Sequence, residues 1–216
     1  MNNTTREPLD DAGADVYPRP GSTQGKNLFY RLRRRKITPR VLLAYSGALI
    51  VLLFAQPVLP GVVIGSVLVC VGVLLRIWTF GHLRKNHTLA TTGPYAHSRN
   101  PAYLGSGAVL TGLFIAAGNP YSVGGWLIWA LGVVAIVIFL GRYMPRKYAR
   151  EYRQLEGIFP EQIRRHAQHV PHFFPRLTPW RSGDSTRFSW QCVTANNEWV
   201  WAPAAALALG VIWLHV

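Results

Sequence analysis

Apolar stretches free of Lys and Arg recur at 41–55, 62–75, 102–117, 123–140 and 199–214, with polar segments between them. With its flanks, each is near the length that crosses a bilayer as a helix. Residues 56–61, Gln-Pro-Val-Leu-Pro-Gly, leave room only for a tight turn between the first two runs, and Gly118-Asn119-Pro120 marks a second hairpin between the third and fourth. The pattern predicts an all-α polytopic integral membrane protein with about five transmembrane helices. Gly61 and Gly65 are four apart and predict close helix packing in the second run, while Arg76, just beyond it, is expected to snorkel to the interface.

Charge changes the picture by giving the helices an orientation. In a soluble chain, the net charge of +14 over 216 residues would suggest nucleic acid, but the placement of the charges argues otherwise. Nine Lys/Arg precede Val41, four lie from Arg76 to Arg99 and ten from Arg142 to Arg187, which accounts for all 23. By the positive-inside rule the N-terminus, the 76–101 loop and the segment after the fourth run are cytoplasmic, and the C-terminus is outside. The basic excess then reads as topology plus attraction to anionic lipid, with no nucleic acid as partner.

Three units follow. Residues 1–27, rich in Pro, Gly, Asp, Ser and Thr, read as a disordered cytoplasmic tail; 28–40 as a basic interfacial segment; 41–216 as the membrane domain. A secretory or twin-arginine signal ending near Ala55 is the competing reading, disfavoured by the long, partly acidic tail and by the absence of a small-x-small cleavage pattern. Cys70 and Cys192 fall on different levels, so no internal disulfide is expected.

Between the second and third runs the chain reads HTLATTGPYAHSRNPAYLG, from His87 to Gly105. Hydroxyls, imidazoles and an arginine are thus concentrated at a membrane edge. Gly93-Pro94 breaks regular structure, and Asn100-Pro101 predicts a helix starting at Pro101. Its free N–H groups would face the polar loop and suit an anion, with Tyr95 and Tyr103 offering ring faces to a cation.

These residues resemble the isoprenylcysteine carboxyl methyltransferase family, whose signature runs approximately H-T-L-V-x-x-G-P-Y-x-x-x-R-H-P-x-Y-x-G. Ala90 replaces a Val, and Asn100 stands where the family has histidine. A later stretch is also similar to the family's tail, in Arg146, Glu151, Leu155, Phe159, Val170, Pro171 and Pro175, although Tyr152, Pro160, Ile163 and His166 depart from it. Together the two cover about Arg76 to Pro175. Pro145 is expected to interrupt the helix leaving the membrane, after which Tyr148, Tyr152 and Leu155 form one stripe at i, i+4 and i+7, with Arg146, Lys147, Arg150 and Arg153 facing elsewhere.

The resemblance implies S-adenosylmethionine as cofactor in a cytoplasmic pocket between the signature and the Glu151 segment. It implies cofactor binding by Tyr95, His97, Arg99, Pro101, Tyr103, Leu104 and Glu151, with Arg99 on the carboxylate and Glu151 on the ribose or amino group. Arg146, orienting an acidic substrate, and Asn100 are the catalytic candidates. A methyl group on a sulfonium needs alignment and a dry pocket more than strong acid–base help.

Bland alternatives stand beside these roles. Arg99 and Arg146 also fit as headgroup contacts, and Glu151 as a solvated partner of Lys147. His166, His169 and His172 share a spacing of three, but Pro171 breaks the helix between the last two and only Glu161 is a nearby carboxylate, so no metal is expected.

The expected function is methylation of a lipid-phase small-molecule or lipidated acceptor, carboxyl methylation preferred, in the plasma (inner) membrane. Phospholipid or amine N-methylation, a non-catalytic membrane protein of the same fold, and a sterol-reductase-like protein binding a nicotinamide cofactor are the alternatives.

Overall fold

The computed structural model describes residues 53–85, 87–184, 186–196, 198 and 201–216. The expected tail, interfacial segment and nearly all of the first apolar run lie outside these residues. Among the described residues the chain is all helical. α1 spans Leu59–Gly81, α2 Pro101–Ala117, α3 Val123–Ile138, α4 Met144–Ile158, α5 Pro160–His169, α6 Trp190–Ala195 and α7 Trp201–Trp213.

α1 and α2 form the central pair, and small residues let them meet. A Cβ on Gly72 would lie 2.6 Å from the Gly105 carbonyl oxygen, and one on Gly112 would lie 2.6 Å from that of Gly65. Both helices therefore need glycine at these crossings, because their backbones touch. Gly65 is one half of the pair expected from the sequence; Gly72, Gly105 and Gly112 complete the seam. α7 closes over this pair, burying Ala205 against Val69 and Val109, and Ile212 among Val62, Ala116 and Ala117.

The outward faces stay apolar. Ile64, Val67, Val71 and Leu74 on α1 and Leu127, Val133 and Val137 on α3 are all more than half exposed. Large aliphatic side chains left open in such number are consistent with a membrane protein. α1 and the continuous rod 123–158 are long and apolar enough to cross a membrane, and α2 and α7 are shorter apolar helices.

That rod differs from expectation. Pro145 does not stop the helix: 36 residues continue from Val123 to Ile158, roughly 54 Å at helical rise, well beyond a hydrocarbon thickness of about 30 Å. Continuity is kept by a π-helical turn at Phe139–Tyr143, where the Met144 N–H reaches back to the Phe139 carbonyl. The wider turn absorbs the missing proline N–H and the ring's bulk one turn upstream.

Candidate functional site

The signature loop is shaped by local sequence before it makes any contact. Gly93 has φ +59°, and a Cβ there would lie 2.6 Å from His82 Nε2, so the position needs glycine twice over. Pro94 then occupies the first turn of a short 3-10 segment, Gly93–Ala96. Thr92 anchors the loop from below: its hydroxyl donates to the Thr186 carbonyl at 2.9 Å and accepts from His82 Nδ1–H at 3.1 Å.

The loop's second half is laced to the chain 72 to 84 residues onward. Arg99 N–H donates to the Pro171 carbonyl, Arg176 N–H to that of His97 and Trp180 N–H to that of Ala96, at 3.0, 3.0 and 2.9 Å. Ser98 Oγ donates to the Phe173 carbonyl at 2.8 Å. Asn100 is buried beside them, its Nδ2 donating to the His172 carbonyl at 2.8 Å. As expected, the helix α2 then starts at Pro101, with Asn100 as its cap position.

Below this lacing lies a cavity of about 750 Å3, within the range typical of small-molecule sites. α1 contributes Arg76 and Phe80, and the loop supplies Arg84, Lys85, Tyr95, Arg99 and Asn100. α2 adds Pro101, Tyr103 and Ser106; the rod adds Phe139, Lys147, Tyr148, Glu151, Tyr152 and Leu155; α5 adds Ile163 and His166; Asn196, Glu198 and Trp201 complete the wall. The Tyr148–Tyr152–Leu155 stripe read from the sequence thus faces the cavity.

Two contacts join the signature to α4. Tyr103 Oη donates to Glu151 Oε2 at 2.9 Å, and Arg99 Nη1 donates to Tyr148 Oη at 2.8 Å. Lys147 Nζ is 3.6 Å from Glu151 Oε1, so Glu151 has both the surface ion pair and the cavity contact, with its side chain about half exposed. Arg99 Nε is buried and lacks a hydrogen-bond partner among the described residues. A buried guanidinium N–H without a partner is costly unless a ligand takes it.

Electrostatics favour neutral ring groups here. Burial, with Glu151 and Glu198 adding to it, pushes the Tyr95 phenol well above its ordinary value, so it stays protonated. His166 is held below the ordinary 6.5, first by burial and then by Arg99, while its bond to the Tyr95 carbonyl at 2.8 Å opposes the shift. His172, edge-on to the Tyr148 ring at 4.0 Å, is lowered by burial and by Arg99.

Of the residues expected from the sequence, Tyr95, Arg99, Asn100, Pro101, Tyr103 and Glu151 reach the cavity wall. Three are placed elsewhere. Arg146 is exposed on α4, while Lys147, expected to face away, lines the cavity. Leu104 does not line the cavity, and His97 Nδ1 is engaged with the Arg176 carbonyl at 2.8 Å. The three histidines diverge: His166 goes to Tyr95, His169 to the Arg165 carbonyl and the Trp180 ring, and His172 to Tyr148.

Arg76 corrects another expectation. Rather than snorkelling, it is 7% exposed and grips Glu198 with two nitrogens, Nη2 to Oε2 at 2.7 Å and Nε to Oε2 at 3.1 Å. Trp201 lies 4.4 Å from its guanidinium carbon and Ser106 accepts from Nη1. The sequence did hold a signal for this pair. Each is an ionisable residue at the edge of an apolar run, where a charge calls for a partner.

Comparison with known proteins follows the same geometry. Residues 60–151 match the phospholipid methyltransferase family model. The cobalt-zinc-cadmium resistance protein CzcN of Cupriavidus metallidurans is 34% identical over 114 residues, 51% of this chain and 47% of that protein. The chain therefore spans about half the length of this curated relative. No solved structure matches it. The stretch that resembles this family model takes in the helix pair, the signature loop and the cavity wall as far as Glu151.

Proposed function

We propose that this protein is a membrane-embedded methyltransferase that uses S-adenosylmethionine to methylate a lipid-phase acceptor, with a carboxyl group as the preferred target. The observation that carries the reading is the convergence of Arg99 and Glu151, 52 positions apart, on one cavity whose Arg99 Nε is buried and unpartnered among the described residues. The donor set suits a zwitterion: Arg99 for a carboxylate, Glu151 for a ribose hydroxyl or ammonium, and the Tyr95 and Tyr103 rings beside them for a sulfonium.

S-adenosylmethionine supplies a methyl group already activated on sulfur. The chain's own work is to bind, orient and exclude water. Tyr103 fixes the Glu151 carboxylate by donating to it, and Tyr148 fixes the Arg99 guanidinium by accepting from it. Asn100 acts as a positioning residue, since its amide holds the His172 carbonyl. It has no proton to exchange near neutral pH, which suits a transfer needing little acid–base assistance.

A second reading, N-methylation of a phospholipid or amine head, is favoured by the description of the matching family. In either case the pocket and the N-terminus are assigned to the cytoplasmic side of the plasma membrane, on the distribution of Lys and Arg. Calorimetric titration of the full chain in detergent with S-adenosylhomocysteine tests the shared core of both readings. Saturable binding supports it, and no heat at any concentration up to millimolar overturns it. Reporter fusions at Gly118 and Val216 should both read external.

A further inference from the structure

The cavity has more positive charge than its ligand can use. Arg76, Arg84, Lys85, Arg99 and Lys147 line it, against the carboxylates of Glu151 and Glu198. Glu198 is taken by Arg76 through both of its oxygens, Nη2 to Oε1 at 2.9 Å and to Oε2 at 2.7 Å. Glu151 is shared between Tyr103 and Lys147. Arg99 is assigned above to the cofactor carboxylate. Arg84 and Lys85 remain, and neither makes an ion pair among the described residues.

Arg84 has the same mark as Arg99: its Nε is buried, with no hydrogen-bond partner among the described residues. It sits where α1 has just ended, next to Leu83, whose carbonyl accepts from Asn196 Nδ2 at 3.1 Å. S-adenosylmethionine has a sulfonium and an ammonium against one carboxylate, so its own charge adds to the excess instead of relieving it. Arg84 keeps a buried N–H without a partner, and exposed Lys85 beside it acts on Glu198 only at a distance, so an anion at this end of the cavity would satisfy the first and be held by both.

We propose that Arg84 and Lys85 form an oxyanion subsite for the methyl acceptor, separate from the cofactor's Arg99–Glu151 end, which selects acceptors bearing a phosphate or carboxylate. This rests on the methyltransferase reading. Arg84 and Lys85 come from the start of the loop, against α1 and the Asn196 segment, whereas Arg99 is tied to Tyr148 of the rod. The two anion sites are thus held by different walls and should respond separately to mutation.

The test uses the full chain in neutral maltoside micelles, saturated with S-adenosylhomocysteine and titrated with decyl phosphate, decanoate or inorganic phosphate. The expected result is that Arg84→Gln/Lys85→Gln weakens the decyl-anion probes by about tenfold or more while S-adenosylhomocysteine affinity stays within about twofold of the parent. Arg99→Gln should show the reverse pattern. Tighter binding of decyl phosphate than of inorganic phosphate identifies a lipid source for the anion, and equal binding identifies a soluble one. The subsite is overturned if the double variant binds the decyl anions as the parent does, if the parent binds none, or if the double variant loses S-adenosylhomocysteine to the same degree. Failure of the parent to bind S-adenosylhomocysteine at all would instead strike the methyltransferase reading itself.

Discussion

Arg76 and Glu198, 122 positions apart, meet as a buried bidentate pair under the Trp201 ring and so tie the last helix to the first described one. Breaking such a pair leaves one buried charge without a partner, whereas replacing both residues by apolar ones of similar size is often neutral. Glu198→Ala should therefore lower stability by about 3–5 kcal/mol, and Arg76→Met/Glu198→Leu should regain most of that loss. Denaturant unfolding in one detergent, followed by tryptophan fluorescence, gives both numbers; a single variant as stable as the parent would show that the pair contributes nothing.

Glu151→Gln and Arg99→Ala should each weaken S-adenosylhomocysteine binding by about 1–3 kcal/mol and leave the unfolding midpoint nearly unchanged. Tyr103→Phe removes the hydroxyl that orients Glu151 and should have a smaller effect, by roughly 1 kcal/mol. Calorimetry on the three variants checks the order, and parent-like binding by both charge variants would place the cofactor elsewhere.

Asn100→Ala leaves the buried His172 carbonyl unpaired and should cost about 1–3 kcal/mol of stability, together with much of the cofactor affinity. Asn100→His restores the residue of the resembled signature and offers a ring N–H to the same carbonyl. It should keep S-adenosylhomocysteine binding, and equal binding by Asn100→Ala would remove the positioning role.

His166 and His172 have folded-state values below the ordinary 6.5, so between the folded and unfolded values the unfolded chain binds more protons. Stability is complete above about pH 6.5 and declines as the pH falls toward the folded values. His166→Gln keeps a donor for the Tyr95 carbonyl without titrating, and it should flatten this decline. Unfolding midpoints from about pH 5 to 8 give the comparison.

Gly93→Ala should be destabilising by more than 1 kcal/mol, roughly, because it adds left-handed strain to a clash with the His82 ring. Gly141→Ala meets nothing within 4 Å and serves as the control. Equal unfolding midpoints for the two would contradict the close approach of His82.

What the sequence made legible was whatever repeats or follows one motif. Apolar runs located α1, α2, α3 and α7, and the signature located Tyr95, Arg99, Asn100, Pro101, Tyr103 and, through its second stretch, Glu151. Which distant segment would supply a residue's partner was hidden. Arg76 read as a snorkelling residue because its partner lies beyond the resembled region, in a stretch without motif or periodicity. Pro145 read as a helix stop because local rules do not register a wider turn placed just before it. His97 and Leu104 matched the motif's surroundings, yet the fold gives one to the Arg176 carbonyl and does not place the other on the cavity wall.

The π-helical turn at Phe139–Tyr143 also sets an angle. Each residue added to a helix rotates everything after it by about 100°. The turn holds one residue more than a regular helix would, so it fixes the heading at which Lys147, Tyr148 and Glu151 leave the lipid-facing part of the same rod. Deleting one residue there would return the rod to regular pitch and swing all three away from Arg99 and Tyr103 without altering any of those three side chains. One surplus peptide unit thereby works as a compass bearing, aligning a stretch selected for oil with a stretch selected for chemistry.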